Sequence, residues 1–256
     1  MSVSSIPSEI ARKFDFEKAL QDQVGCSGAN IFFDRDLVLK IERDCEEATR
    51  EVDLLIWLKH RLPVPNVYET CILDGYRYLL MSRLPGRMLC DPVYLRTPER
   101  ACRLYAQAIH MLQTISVEEC PFRNCLSDKL RRAQERIQRH EIDLSLVNPQ
   151  FICKESRPDL DGIWRWLDQH RPEETLVFTH GDCCMPNIFC EGDEISGFLD
   201  FGHGGIADPW QDIALAIRSL AYNLGSDQYT PVFLDALGVS LDPERAFYYT
   251  MLDELF

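Results

Sequence analysis

Residues 176–202 read LVFTHGDCCMPNIFCEGDEISGFLDFG. Three polar groups sit in this stretch at fixed offsets: His180-Gly181-Asp182, then Asn187 five residues on, then Asp200-Phe201-Gly202 thirteen further. The apolar runs at 176–179, 187–190 and 195–199 predict short strands, with Glu191-Gly192-Asp193 as a turn between the last two. Such a hairpin would return Asn187 and Asp200 to one end of adjacent strands.

Each residue type suits one task of phosphoryl transfer. A carboxylate placed as Asp182 can accept the proton of an acceptor hydroxyl and aim its oxygen. A hard divalent cation takes oxygen ligands, which the Asn187 amide and the Asp200 carboxylate offer. A lone HGD or DFG carries little weight. The triple at these offsets, on a strand–loop–hairpin background, has the order of a kinase catalytic loop followed by its metal-binding segment. The competing reading makes Asp182 and Asp200 helix caps or turn formers.

Upstream, 8–21 reads as an opening helix. Extended runs around Phe32-Phe33 and Leu37-Val38-Leu39 flank an Asp34-Arg35-Asp36 turn, and 46–60 is an amphipathic helix with Val52, Leu55, Ile56 and Trp57 on one side. A second hairpin turns at Asp74-Gly75. Lys40 ends an apolar strand, where a buried stem can hold its ammonium toward phosphate oxygens, and Glu51 on the next helix can pair with it. The loop Gly25-Cys26-Ser27-Gly28 precedes the first of these strands. Its backbone N–H groups and the Ser27 hydroxyl are candidate phosphate contacts. Beyond a Pro85-Gly86 connector the chain becomes mainly helical. Thr97-Pro98 opens one helix, and Asp208-Pro209-Trp210-Gln211 reads as a capping box for another.

These elements give an α+β, two-lobed architecture: a small antiparallel sheet plus helix at 1–81, a connector at 82–90, and a larger, mainly helical catalytic lobe at 91–256. The net charge of −14 is distributed unevenly. Residues 141–256 carry 21 acidic and 6 basic side chains, whereas 1–140 carry 20 and 21. An acidic C-terminal part suits a cationic ligand and disfavours nucleic acid. Eleven scattered cysteines with no CxxC pair read as reduced thiols. No signal-like apolar run opens the chain and no membrane-length segment occurs, so the expectation is a cytoplasmic enzyme, monomeric or a weak homodimer.

The chain resembles the aminoglycoside 3′-phosphotransferases, a family with a protein-kinase-like fold. LVFTHGDCCMPNIF and SGFLDFG are similar to its catalytic and metal segments, ADPWQDIALAIRSL to the helix that follows, and LPVPNV and the closing YYTMLDELF to further segments. The resemblance implies ATP as phosphoryl donor, Lys40 on its α- and β-phosphates, Glu51 orienting Lys40, and Asp182 as base. It implies two magnesium ions on Asn187 and Asp200, and adenine hydrogen bonds from the backbone of Ser82 and Leu84. A polycationic aminoglycoside would be held by Asp182, His203, Arg218, Asp253, Glu254 and the carboxylate of Phe256. His203 stands where the family has a basic Arg. Within 145–161, Glu155, Asp159 and Asp161 remain alternatives for the antibiotic loop. The rival reading is a kinase of another small alcohol, of choline, macrolide or homoserine type.

Overall fold

The computed structural model describes residues 6–21, 29–142 and 159–256. The chain divides into two units, Met1–Met88 with Asn187–His203, and Leu89–Pro186 with Gly204–Phe256.

The first unit begins with α1 (Ser8–Ala11) and β1 (Leu20–Gln21), so the opening helix anticipated over 8–21 is a single turn. Phe14 and Phe16 stand two residues apart, a spacing that a helix cannot present to one surface. Here their rings pack together at 5.1 Å, and Phe16 lies 5.2 Å from Phe32. Then follow β2 (Asn30–Asp34), β3 (Leu37–Arg43), α2 (Glu46–Leu58), β4 (Val67–Leu73), β5 (Tyr76–Ser82) and the short β6 (Arg87–Met88). Five strands form an antiparallel sheet in the order β1-β2-β3-β5-β4. Asp74 and Gly75 both have positive φ (52° and 77°), the two-residue turn that matches strand twist.

Period-two alternation assigns the faces of β3 and β5. Leu39, Ile41, Tyr78 and Leu80 bury against Ile10 and Phe14. Lys40, on the opposite face, points to α2. Helix α2 buries Ala48, Glu51, Val52, Leu54, Leu55 and Leu58. Ile56, expected on that side, is 56% exposed because it falls just past the edge of the stripe.

The second unit opens with α3 (Pro92–Leu95), α4 (Pro98–Gln113), α5 (Leu126–Gln138), α6 (Leu160–Gln169) and β7 (Val177–Thr179). A 3₁₀ turn (Met185–Asn187) leads into β8 (Ile188–Glu191), which pairs with β6, and β9 (Glu194–Phe198), which pairs with β8; both belong to the first unit. Gly86 (φ 85°) is required there: a Cβ would collide with the Cys190 carbonyl. The chain then returns to the second unit with β10 (Gly205–Ala207), antiparallel to β7, and α7 (Trp210–Leu224), α8 (Thr230–Leu237) and α9 (Pro243–Asp253).

The capping box does not form at α7. Asp208 Oδ1 accepts from the Trp210 N–H at 2.9 Å, while its Oδ2 accepts from the Thr175 N–H at 2.8 Å. Gln211 does not reach back, and its Nε2 is buried without a hydrogen-bond partner. Among the described residues no helix is long and apolar enough to cross a membrane. The nine described cysteines are all free thiols.

Candidate active site

In the first unit Lys40 is buried under α2 with its ammonium among three carboxylates. Glu51 Oε2 lies at 2.7 Å, Glu42 Oε1 at 3.1 Å and Asp200 Oδ1 at 3.6 Å. Glu42 is there because i and i+2 share a strand face, and Glu51 because it lies within the buried stripe of α2. Burial alone would lower the Lys40 pKa. Glu51, Asp200 and Glu42 more than offset it, and the net shift is upward. Burial pushes the Glu51 carboxyl above its ordinary range, opposed chiefly by Lys40. The 2.7 Å contact identifies an ion pair, with the ammonium charged.

Asp200 reaches this cluster because of the hairpin. The Leu199 N–H donates to the Asn187 carbonyl at 2.9 Å, so Asn187 and Asp200 follow from one rung at the same end of β8 and β9. Asp200 adopts φ 62°, a left-handed conformation that a short polar side chain tolerates. Buried Phe198 and Phe201 flank this end, their rings 6.4 Å apart.

The donor set fits magnesium brought in with phosphates rather than a site built wholly from protein. One partly exposed carboxylate and one amide could supply oxygens, and the three carboxylates that face a single ammonium are an excess of negative charge. Among the described residues no cluster of three or more His, Cys, Asp or Glu could hold a metal by itself.

The other residues singled out in this unit are placed as follows. Ser82 ends β5; its N–H donates to the Asn66 carbonyl and its Oγ accepts from the Asn66 N–H, both at 2.9 Å. Leu84 is buried, and the neighbouring connector is tied to β9 by Ser196 Oγ donating to the Pro85 carbonyl at 2.7 Å. His203, half-buried, closes the 187–203 segment. Ser27 and Glu155 lie outside the described residues.

In the second unit the loop carrying Asp182 is held from three sides. Asp212, in the first turn of α7, accepts the N–H of His180 at 2.7 Å and of Gly181 at 2.8 Å. Tyr105 on α4 donates its hydroxyl to the Cys183 carbonyl at 2.5 Å, and Ser219 Oγ accepts the Met185 N–H at 3.0 Å. The Cys184 N–H donates to the Asp182 carbonyl at 2.8 Å, closing the turn. Gly181 adopts φ 82°, which a side chain would oppose. Asp182 itself is half-buried. Burial raises the Asp212 pKa, and His180 with the two N–H donors pulls it part of the way back. Asp212 was missed in the sequence; the available signal was a carboxylate directly ahead of the apolar Ile213-Ala214-Leu215-Ala216 run of a buried helix.

The end of the chain is not a loose acidic tail. Arg218 donates to Asp253 Oδ2 at 2.5 Å and to Glu254 Oε1 at 3.5 Å. Burial would lower the Arg218 pKa, but Asp253 more than offsets it. A cleft of about 530 Å³ is lined by Arg136, Glu141, Ile142, Arg218, Asp253, Glu254 and Phe256. Asp159 is used elsewhere, as the N-cap of α6, accepting the Gly162 N–H at 2.9 Å.

Known proteins resemble this chain in sequence and fold. A model of the phosphotransferase enzyme family matches residues 20–249. An aminoglycoside 3′-phosphotransferase of Enterococcus faecalis is 34% identical over 269 residues, covering 100% of both chains, and one of Staphylococcus aureus is 33% identical over 268 residues with the same coverage. The solved structure of a type VIII aminoglycoside-3′-phosphotransferase matches in fold, with a TM-score of 0.82 at 23% identity over 97% of this chain and 98% of that one. A Streptomyces rimosus aminoglycoside phosphotransferase, solved with ADP and streptomycin, gives 0.76 at 25% identity over 96% and 95%. Matched from end to end by such relatives and by the family pattern across both of its units, the chain belongs to the phosphotransferase enzyme family, among the aminoglycoside 3′-phosphotransferases.

Proposed function

We propose that this enzyme transfers the γ-phosphoryl group of ATP to the 3′-hydroxyl of an aminoglycoside and so confers resistance to the antibiotic. The observation that carries the reading is the buried Lys40–Glu51 pair at 2.7 Å with Asp200 beside it, in a chain whose end-to-end relatives bear that name. Lys40 binds the α- and β-phosphates, and Glu51 sets its direction. Ser82 and Leu84 offer backbone groups to the adenine, and Ser27 its hydroxyl to the phosphates. Asn187 and Asp200 would hold two magnesium ions, which when bound would neutralise charge on the phosphates.

Asp182 accepts the proton of the sugar hydroxyl and orients its oxygen for in-line attack. Asp212 keeps that loop in register through its two backbone bonds. Transfer is direct, driven by positioning and charge neutralisation. Asp253 and Glu254 meet the ammonium groups of the substrate, with Phe256 beside them. Arg218 acts through the two carboxylates it touches, and we read His203 as a further substrate contact. We read the enzyme as cytoplasmic, a monomer or weak homodimer, with no nucleic-acid or membrane partner.

A coupled ADP-release assay over an aminoglycoside panel tests this, with choline and a macrolide as comparison substrates. ADP release that depends on the aminoglycoside, with phosphorus NMR placing the product phosphate at the 3′ position, is the expected result. Faster turnover of choline or the macrolide would replace the reading.

A further inference from the structure

Helix α5 carries Lys129, Arg132 and Arg136 at spacings of three and four, which share one helix face. All three cations meet the ring of Phe256. Lys129 Nζ lies 5.1 Å from its centroid, Arg132 Cζ 5.6 Å and Arg136 Cζ 5.8 Å. Arg136 also donates from Nε to the Leu255 carbonyl at 3.1 Å and from Nη2 to the Phe256 carbonyl at 2.8 Å.

Lys129 and Arg132 are only 3% and 9% exposed. Apolar residues of similar volume would serve stability at least as well, since buried charges give little net stabilisation. None of the three has a task in the phosphoryl transfer derived above. What they share is Phe256, the second residue after Glu254, and Arg136 also holds Leu255 between them. Arg136 lines the same cleft as Asp253 and Glu254.

We infer that the cationic face of α5 is a positioning device for substrate recognition, clamping Leu255 and Phe256 so that Asp253 and Glu254 stay on the cleft wall before any substrate arrives. This rests on the reading that those carboxylates bind the ammonium groups of the aminoglycoside. An unclamped last turn would have to be ordered on binding, and that ordering would be subtracted from affinity. Arg218 holds the acidic side chains, whereas α5 holds the carbonyls and ring of the two residues that follow them. The two devices are complementary: one balances charge and the other fixes geometry.

Steady-state kinetics with kanamycin as probe tests the clamp in full-length enzyme. Arg136→Gln removes two charged hydrogen bonds, and Phe256→Leu removes the ring. Each should raise the kanamycin KM about ten-fold or more while kcat and the ATP KM stay near wild type. Arg136→Lys, which keeps the charge, should recover part of the loss. Arg131→Gln, on the exposed side of α5, should change nothing. Asp253→Asn provides the reference for the underlying site. If it raises the kanamycin KM while Arg136→Gln and Phe256→Leu do not, the clamp is wrong and the site stands. If Asp253→Asn also leaves KM unmoved, both fall. A lowered Tm with unchanged kanamycin KM in the clamp variants would make α5 merely structural and overturn the inference.

Discussion

The two charged clusters of this enzyme are built on opposite principles. In the first unit one ammonium, Lys40, faces Glu42, Glu51 and Asp200, so carboxylate is in excess. In the second, Arg218 is shared by Asp253 and Glu254, and three cations of α5 surround one ring, with Arg136 also bonded to two carbonyls. The excess in the first cluster suits an incoming positive charge. In the second each acidic side chain already has arginine as a partner, and a cationic substrate must share it. An unbalanced cluster marks where chemistry is supplied from outside, and a balanced one marks where shape is kept.

The strongest test of the unbalanced side is Asp200→Ala. We expect turnover to fall to background, and calorimetry to show nucleotide binding that no longer differs with and without EDTA. A retained magnesium dependence would move the metal away from Asp200. Asp182→Ala should behave differently, losing about 10² to 10⁴ in kcat, the usual contribution of a positioned base. Its ATP affinity should persist, because the acceptor and not the nucleotide is its proposed partner. Near-normal turnover would remove Asp182 as base.

The balanced side has its own signature in pH. Burial lowers the Lys129 pKa to about 8, and Asp253 is the foremost of the groups that pull it back. A lysine depressed in the folded state stabilises the fold above its unfolded pKa and loses that contribution as pH falls through its folded value. Stability should therefore rise from about pH 8 toward 10.5 through this group, by something on the order of a few kcal/mol. Lys129→Met should flatten the rise, read as the difference in Tm between wild type and variant across that window. An identical pH profile in the two proteins would mean that Lys129 is not buried as a cation beside the tail.

The smallest effect is ionic. The kanamycin KM should rise between roughly 0.05 and 0.5 M salt while the ATP KM moves less, since exposed charges are screened over a few ångströms at high salt. Equal shifts would make the acidic excess of residues 141–256 a solubility feature only.

Much of the first cluster was legible before any coordinates. Lys40 on an alternating strand, Glu51 on an amphipathic helix and Asp200 after a hairpin are each placed by local periodicity, and a hairpin brings its own ends together. Helix 8–21 and the capping box were misread because helix and cap signals are weak priors, overridden here by two aromatic rings seeking a sheet and by an aspartate drawn to Thr175 and Arg245. Asp212 and the α5 clamp escaped for another reason. Their partners lie 31 to 32 and 119 to 120 residues away, and no short pattern records such a meeting.

The sequence by itself determined the two-lobed α+β class, the strand–loop–hairpin with its three polar groups, and the acidic bias of the C-terminal half. These follow from periodicities of two and 3.6 residues, turn chemistry and charge, which act over a few residues at a time. Only the tertiary structure decided that Asp212 holds the catalytic loop, that Arg218 rather than solvent meets Asp253 and Glu254, and that Lys129, Arg132 and Arg136 converge on Phe256. Buried charges must find partners wherever the packed chain supplies them, and that choice is made by helices meeting in space.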